Sequence, residues 1–427
     1  MSEVLVPVDH LRVGVFIRLE LKWFEHPFLF SSFKIKDLEQ IKILKELGQT
    51  EVIYIPEKSS QHPVSPARGA EPVAAVVKSE AALTAHSLWE LKAERIKKLR
   101  ERNRRIQHCE KQYHETFDQV KKVMQNLVTG TEQAAKQADA LVQEMVASLV
   151  TESEVVVHLM NVKVTDESVF YHTLNVAIMA LLLGKECGID PEAMHKLGLG
   201  AMFHDIGKAR IPKRLLYRRT PLTGPERALL QLHPKYGEEI ASRINGFPIE
   251  AMEVIREHHE RMDGSGYPRG LTRAQISFLS EITSLVNTYD NYCNQLDPAD
   301  SLTPHEALSC MFSRGQCHFS KDLLTTFIRC MGIYPPGTVV RLSNDTTGIV
   351  VSISSNNQTR PSVLVYDPQV PKNQAIIVNL EEEPELTVTR SIRPSSLPPE
   401  VFAYLNPRTR VSYYLDPSGG KPVQKQC

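Results

Sequence analysis

Histidine and acidic residues gather in one stretch of the chain in a pattern that suits metal chemistry. His172, the adjacent pair His204-Asp205, His233 and the doublet His258-His259 all fall there, with carboxylates and glycine-rich turns nearby. The pentad His204-Asp205-Ile206-Gly207-Lys208 is the most informative piece. Neutral imidazole and carboxylate are matched donors for a divalent first-row metal, and neighbouring residues can both turn toward one ion. Lys208 lies one helical turn after His204, where its ammonium can meet the anion that such an ion holds. A His-Asp pair alone is more often a coincidental surface dipeptide. The further histidines on other predicted helices argue against that here.

The doublet His258-His259 bears on the number of ions. Neighbours on a helix diverge by about 100°, so one ion could hardly collect both rings. Two ions side by side could, with Asp205 bridging them. A pair of ions about 3.5–4 Å apart is the standard device for phosphoester hydrolysis: one lowers the pKa of the attacking water and both neutralise charge on the phosphoryl oxygens. No Ser-His-Asp elbow, Walker A loop or GxGxxG fingerprint competes.

The doublet opens the stretch His258-His259-Glu260-Arg261-Met262-Asp263-Gly264-Ser265-Gly266-Tyr267-Pro268, in which Asp263-Gly264 and Ser265-Gly266 are turn dipeptides and Tyr267-Pro268 stiffens the exit. With the pentad upstream, this stretch resembles the signature of the HD-GYP domain, a subgroup of the HD metal-dependent phosphohydrolases that hydrolyses the bacterial second messenger cyclic di-GMP. The likeness covers roughly residues 150–340 and includes Ile211-Pro212, Leu222-Thr223, His233-Pro234 with Gly237, Gly270-Leu271 and Ile333-Tyr334-Pro335-Pro336-Gly337. The first 56 residues also look like the small N-terminal domain of one branch of that family.

Residue by residue, the resemblance implies that His172, His204, Asp205, His233, His258 and His259 ligate two divalent ions, usually iron or manganese, with Asp205 bridging. It implies that Lys208 contacts a substrate phosphate and that Arg261 and Asp263 order the signature loop. Gly266, Tyr267 and Pro268 on that loop are linked to substrate entry or to docking of partners, in particular diguanylate cyclase domains. Two departures stand out. The family's Ala-Asp-x-Tyr-Asp-Ala segment reads Val286-Asn287-Thr288-Tyr289-Asp290-Asn291 here. Either Asn287 ligates through its neutral amide oxygen, as the resemblance to that branch of the family implies, or Asp290, on the same helical face, substitutes or supports from behind. Ser168 stands where three-metal members place a glutamate, and Glu167 is one residue out of phase, so two ions are expected. The basic residues that often follow the Tyr-Asp segment are replaced by Asn294-Gln295-Leu296-Asp297.

The implied activity is phosphodiesterase cleavage of cyclic di-GMP to linear pGpG, with GMP after a second cut. The rival readings are a catalytically weak cyclic di-GMP sensor disabled at Asn287, a phosphohydrolase of another nucleotide, and a structural helical protein with satisfied buried histidines.

These residues need a frame. Residues 135–338 carry helix-type periodicity in nine segments, among them Asn175–Leu183, Ala193–Phe203, Ile249–His258 and Leu279–Cys293. The expected fold is mainly α: an HD-type helical bundle core, with a small α+β N-terminal domain over 1–60 and a small β-rich C-terminal appendage over 339–393. A Pro/Ala-rich linker is expected over 61–86, a long charged helix over 87–130 and a loosely ordered tail over 394–427. Within the charged helix Leu99, Ile106, Tyr113, Val120 and Leu127 recur every seventh residue. That seam serves equally for a homodimeric coiled coil or for packing within the chain.

Composition narrows the class. The 427 residues are 42% hydrophobic and 23% charged, and fifty basic residues balance fifty acidic ones. A bulk field for a nucleic-acid polymer or a membrane is thereby excluded, as are wholesale disorder, a collagen-like fibre and a disulfide miniprotein. The seven cysteines are odd in number and form no CxxC pair, which favours free thiols in a reducing compartment. The longest apolar run, Val176 to Gly184, is about half of the roughly twenty residues a bilayer span requires. With no secretion-type segment in Met1 to Glu20, the expected location is the bacterial cytoplasm.

Overall fold

The structure, a computed structural model, describes residues 3–64, 85–127, 132–150, 156–160, 168–315, 317–354, 357–407 and 411–416. Most of the linker expected over 61–86, the last part of the tail and Glu167 lie outside these residues. The chain forms two compact units, one of Met1–Arg104 with Leu342–Thr347 and Leu364–Ile377, the other of the remainder.

In the first unit, strands β1 (Val4–Pro7), β2 (Phe16–Arg18), β3 (Ser32–Lys34) and β4 (Glu51–Tyr54) make an antiparallel sheet in the order β1-β4-β2-β3. Helix α1 (Leu38–Glu46) starts where the Asp37 carboxylate accepts from Gln40 N, satisfying a backbone donor that the first helical turn leaves open. It buries Ile43 and Leu44 against Val15, Ile17 and Leu19. The α+β reading of this segment holds; β3, only three residues long, left no pattern to find.

Helix α2 (Ala85–Leu127) matches the expected charged helix. In its second half Tyr113, Phe117, Val120, Met124 and Leu127 are buried in the second unit's core, so that part of the heptad seam is covered within the chain. The second unit continues with α3 (Glu132–Val150), β5 (Val156–Leu159), α4 (Ser168–Glu186), α5 (Pro191–Phe203), α6 (Lys213–Leu216), α7 (Gly224–Leu230), α8 (His233–Ala241), α9 (Ile249–Glu257), α10 (Phe278–Cys293), α11 (Pro304–Arg314) and α12 (Lys321–Met331). Helices α4 and α5 are buried on nearly every face, from Leu174 to Leu183 and from Leu197 to Phe203. This explains the long apolar run: it is the centre of a bundle. Among the described residues no helix is long and apolar enough to cross a membrane. Polar caps set the helix starts: the side chains of Asp190, Ser277 and Thr303 accept from Ala193 N, Ser280 N and Glu306 N.

After α12 come β6 (Val339–Leu342), β7 (Thr347–Ser354), β8 (Asn357–Val365), β9 (Ile377–Asn379) and β10 (Val388–Ile392), the strand-rich C-terminal region expected. The tail departs from expectation. Its described residues, 394–407 and 411–416, include helix α13 (Pro399–Leu405) and strand β11 (Tyr413–Asp416). β11 pairs antiparallel with β5, Tyr413 opposite Leu159 and Asp416 opposite Val156, and β5 pairs in turn with β7. Neither β5 nor β11 was visible in the sequence, because each is four residues long and is stabilised by partners far away along the chain.

Candidate metal centre

Four imidazoles reach one site from four helices. His172 sits in α4, His204 closes α5, His233 opens α8 and His258 closes α9. Three of them use the same device. The last carbonyls of a helix have no partner inside it, and a nearby imidazole can donate to one. His204 Nδ1 meets Ala201 O at 2.7 Å, His233 Nδ1 meets Leu230 O at the end of α7 at 2.8 Å, and His258 Nδ1 meets Ile255 O at 2.8 Å. A carbonyl only accepts, so the proton sits on Nδ1 and each Nε2 presents a lone pair. His172 is oriented likewise by a carboxylate: its Nδ1 lies 2.6 Å from Asp290 Oδ2.

The four Nε2 atoms then meet in pairs, His172 with His204 at 3.2 Å and His233 with His258 at 3.1 Å. Two lone pairs at that distance repel each other. Protonation does not relieve them, because burial pulls the pKa of His204 below the ordinary value and that of His258 well below it, with His259 adding to the latter. Asp205 contributes one oxygen to each pair. Its Oδ2 lies 3.3 Å from His204 Nε2 and 3.5 Å from His172 Nε2, and its Oδ1 lies 3.2 Å from His233 Nε2 and 3.7 Å from His258 Nε2. Burial pushes the Asp205 carboxyl up, but the Lys208 ammonium and His204 outweigh it and hold the group well below the usual carboxylate range. Among the described residues Asp205 Oδ1 is buried without a hydrogen bond.

Electron-pair donors thus converge twice on a point that no proton fills. Two groups result: His172, His204 and Asp205, and Asp205, His233, His258 and His259, the donor atoms of each lying within 4.8 Å of one another. The donor set fits one divalent cation per group, with Asp205 common to both. Gly207 permits this closeness. A Cβ there would stand 1.9 Å from His233 O, so only glycine lets the turn after Asp205 press against the start of α8.

Lys208 Nζ lies 2.5 Å from Asp205 Oδ2 with its side chain partly exposed. It faces a cleft lined also by His172, Asn175, Asn291, Asn294, Val411 and Ser412. Asp290 joins neither group. It stands behind His172, with Oδ1 accepting from Asn175 Nδ2 at 2.8 Å and from Asn294 Nδ2 at 2.9 Å. Asn287 is buried and its Oδ1 accepts from Asn291 Nδ2 at 2.7 Å.

The signature loop covers the second group from outside. Tyr267 stacks on the His259 ring, centroids 4.5 Å apart at 20°, and burial raises its phenol pKa. Asp263 accepts from Ser265 N and Oγ at 3.0 and 2.7 Å, closing the turn, while Arg261 and Pro268 are exposed. A Cβ at Gly266 would lie 2.5–2.6 Å from the backbone of His259, Glu260 and Arg261, so the loop closes on itself only with glycine there.

Sequence reasoning missed Glu260, which is buried and ties down the loop by accepting from Arg269 N and Leu271 N at 2.7 and 2.9 Å. It also missed Asn175, Asn294 and the tail. Both asparagines donate to Val411 O at 2.9 Å, and Val411 N donates to Asn294 Oδ1 at 2.8 Å. Asn175 lies on the helical face of His172, which is the one signal that could have marked it.

A family described as HD domain matches residues 122–323, and one described as Domain of unknown function (DUF3391) matches residues 3–138. The chain is 26% identical over 363 residues to the cyclic di-GMP phosphodiesterase PA4108 of Pseudomonas aeruginosa, covering 84% of each. It is 26% identical over 211 residues to the cyclic di-GMP phosphodiesterase PdeB of Borreliella burgdorferi, 49% of this chain and 54% of that protein. It is 30% identical over 148 residues to 3'3'-cGAMP-specific phosphodiesterase 1 of Vibrio cholerae, 35% of this chain and 34% of that protein.

Proposed function

We propose that this chain, whose residues 122–323 match an HD domain family and residues 3–138 a DUF3391 family, is a metal-dependent phosphodiesterase that hydrolyses cyclic di-GMP to pGpG, with GMP after a second cut. One observation carries the reading: two pairs of imidazole lone pairs face each other, and each is completed by one oxygen of the same buried carboxylate. His172, His204 and Asp205 would hold one divalent ion, and Asp205, His233, His258 and His259 the other. Imidazole with carboxylate suits iron or manganese. When bound, such ions polarise phosphoryl oxygens and lower the pKa of water.

The chain's own residues do the rest. Lys208, at the cleft wall beside Asp205, gives fixed positive charge to a phosphate oxygen. Asp290 holds the His172 proton on Nδ1 and so keeps Nε2 free to ligate. Tyr267 remains protonated at neutral pH and can donate from the loop to a substrate oxygen, while Arg261, Asp263, Gly266 and Pro268 shape the entrance. The exposed part of this loop is the surface assigned to a diguanylate cyclase partner.

Full-length protein purified anaerobically, assayed for metal content and for cyclic di-GMP hydrolysis, tests this. The expected result is about two ions per chain and linear pGpG as first product. Because the Vibrio relative is named for 3'3'-cGAMP, that nucleotide belongs in the substrate panel, and a clear preference for it would replace the substrate proposed. Tight binding of cyclic di-GMP without product would make the protein a sensor.

A further inference from the structure

A second convergence of metal-type donors lies away from the cleft's ion groups. Cys109 on α2, His158 on β5 and Asp416 at the end of β11 bring a sulfur, a ring nitrogen and a carboxylate oxygen within 4.8 Å of one another. All three are more than nine-tenths buried, at 2%, 4% and 6% exposure. Neither ring nitrogen of His158 makes a hydrogen bond among the described residues; its nearest acidic atom is Asp416 Oδ2 at 3.5 Å. That same oxygen takes Arg105 Nη2 at 2.5 Å.

Two simpler explanations leave something over. A redox or nucleophilic thiol needs an accessible thiolate, and Cys109 is buried, with burial and then Asp416 pushing its pKa up to about 12. A plain core cysteine would account for Cys109, but not for an imidazole sealed beside it with both nitrogens unused.

We propose that Cys109, His158 and Asp416 form a zinc site, independent of the centre around Asp205. Thiolate, imidazole and carboxylate are zinc's ordinary ligands, and three protein donors leave one tetrahedral position for water. Binding expels the Cys109 proton to solvent, so the two anionic ligands cancel the ion's charge. Arg105 then serves as the outer partner that orients the Asp416 carboxylate. The site ties α2 to β5 and to β11, the strand that follows Val411 at the cleft wall. Its donors come from three elements that sequence distance separates by up to 307 positions (416 − 109).

Cobalt separates this site from the other centre, whose groups contain no cysteine. Metal-stripped full-length protein titrated with Co²⁺ should gain a thiolate-to-cobalt charge-transfer absorption in the near ultraviolet. The band should vanish in Cys109→Ser, persist in Cys317→Ser, and persist in Asp205→Ala whether or not that variant turns over substrate. His158→Gln, which keeps the thiol, should bind Co²⁺ at this site at least about tenfold more weakly and covers the case in which Cys109→Ser does not fold. No such band in the wild type, a band untouched by Cys109→Ser, or unchanged affinity in His158→Gln each overturns the proposal.

Discussion

Two buried polar clusters, one in each unit, are built from opposite kinds of contact. In the first unit the Lys92 ammonium is fully buried, donates to Trp23 O and Phe28 O at 2.7 Å each, and lies 3.6 Å from the centre of the Trp23 ring. A cation meets two carbonyls and an aromatic face, so nothing further is called for. In the second unit, imidazoles and Asp205 converge with acceptors only. The contrast teaches what to look for. A buried polar group matched by opposite partners builds structure; buried lone pairs that converge around one carboxylate have the donor chemistry of a metal site.

Substitutions should separate the two. Asp205→Ala removes an oxygen from both ion groups, so turnover should fall by far more than the ~100-fold that the loss of an outer partner causes. Its circular dichroism should match the wild type, and retained turnover would refute the shared role of Asp205. Lys92→Met does the converse. Loss of both donations should cost the first unit about 3 kcal/mol, read from the fluorescence of Trp23 and Trp89, with turnover unchanged.

Asp290→Asn lies between these. It keeps the shape of the support behind His172 while weakening it, and metal affinity should drop about 10–100-fold, measured by competition with a chelator. Glu260→Gln should act least. The amide keeps one acceptor oxygen of two, for a loss of about 1 kcal/mol visible as earlier thermal unfolding with metal affinity intact.

The comparison also has a pH signature. Burial, then Arg95, pull the Lys92 pKa down to about 7, against the opposing pull of Asp367; nearby His26 is held at about 3 by burial and by Lys92. Between pH 7 and 10, therefore, the unfolded chain carries a proton on Lys92 that the folded chain sheds. Raising the pH through that window should stabilise the first unit. The Lys92→Met variant should lose that part of the slope, and equal slopes in the two proteins would show that Lys92 does not titrate there.

Legibility followed the range of the interaction. The helices of the second unit, the pentad and the doublet could be read because periodicity and adjacency are local. The tail could not: Pro and Ser in residues 394–400 suggested looseness, whereas β11 is held by β5 and by the side chain of Asn175, and Val411 before it by Asn175 and Asn294, all more than a hundred residues away. The sequence leaves Asp290 open between ligation and support, and what it cannot give is the 2.6 Å distance from its Oδ2 to His172 Nδ1.

From residue types and spacing alone came the helical class of the second unit, the donors available for metal and the glycines of the tight turns. These depend on what each residue is and on neighbours a few positions off. Folding alone decided that Asp205 sends one oxygen to each imidazole pair, that three helix-end carbonyls fix the ring protons, and that the tail walls the cleft. Those facts turn on distances of about 3 Å between groups brought together by core packing, and no local pattern encodes such distances.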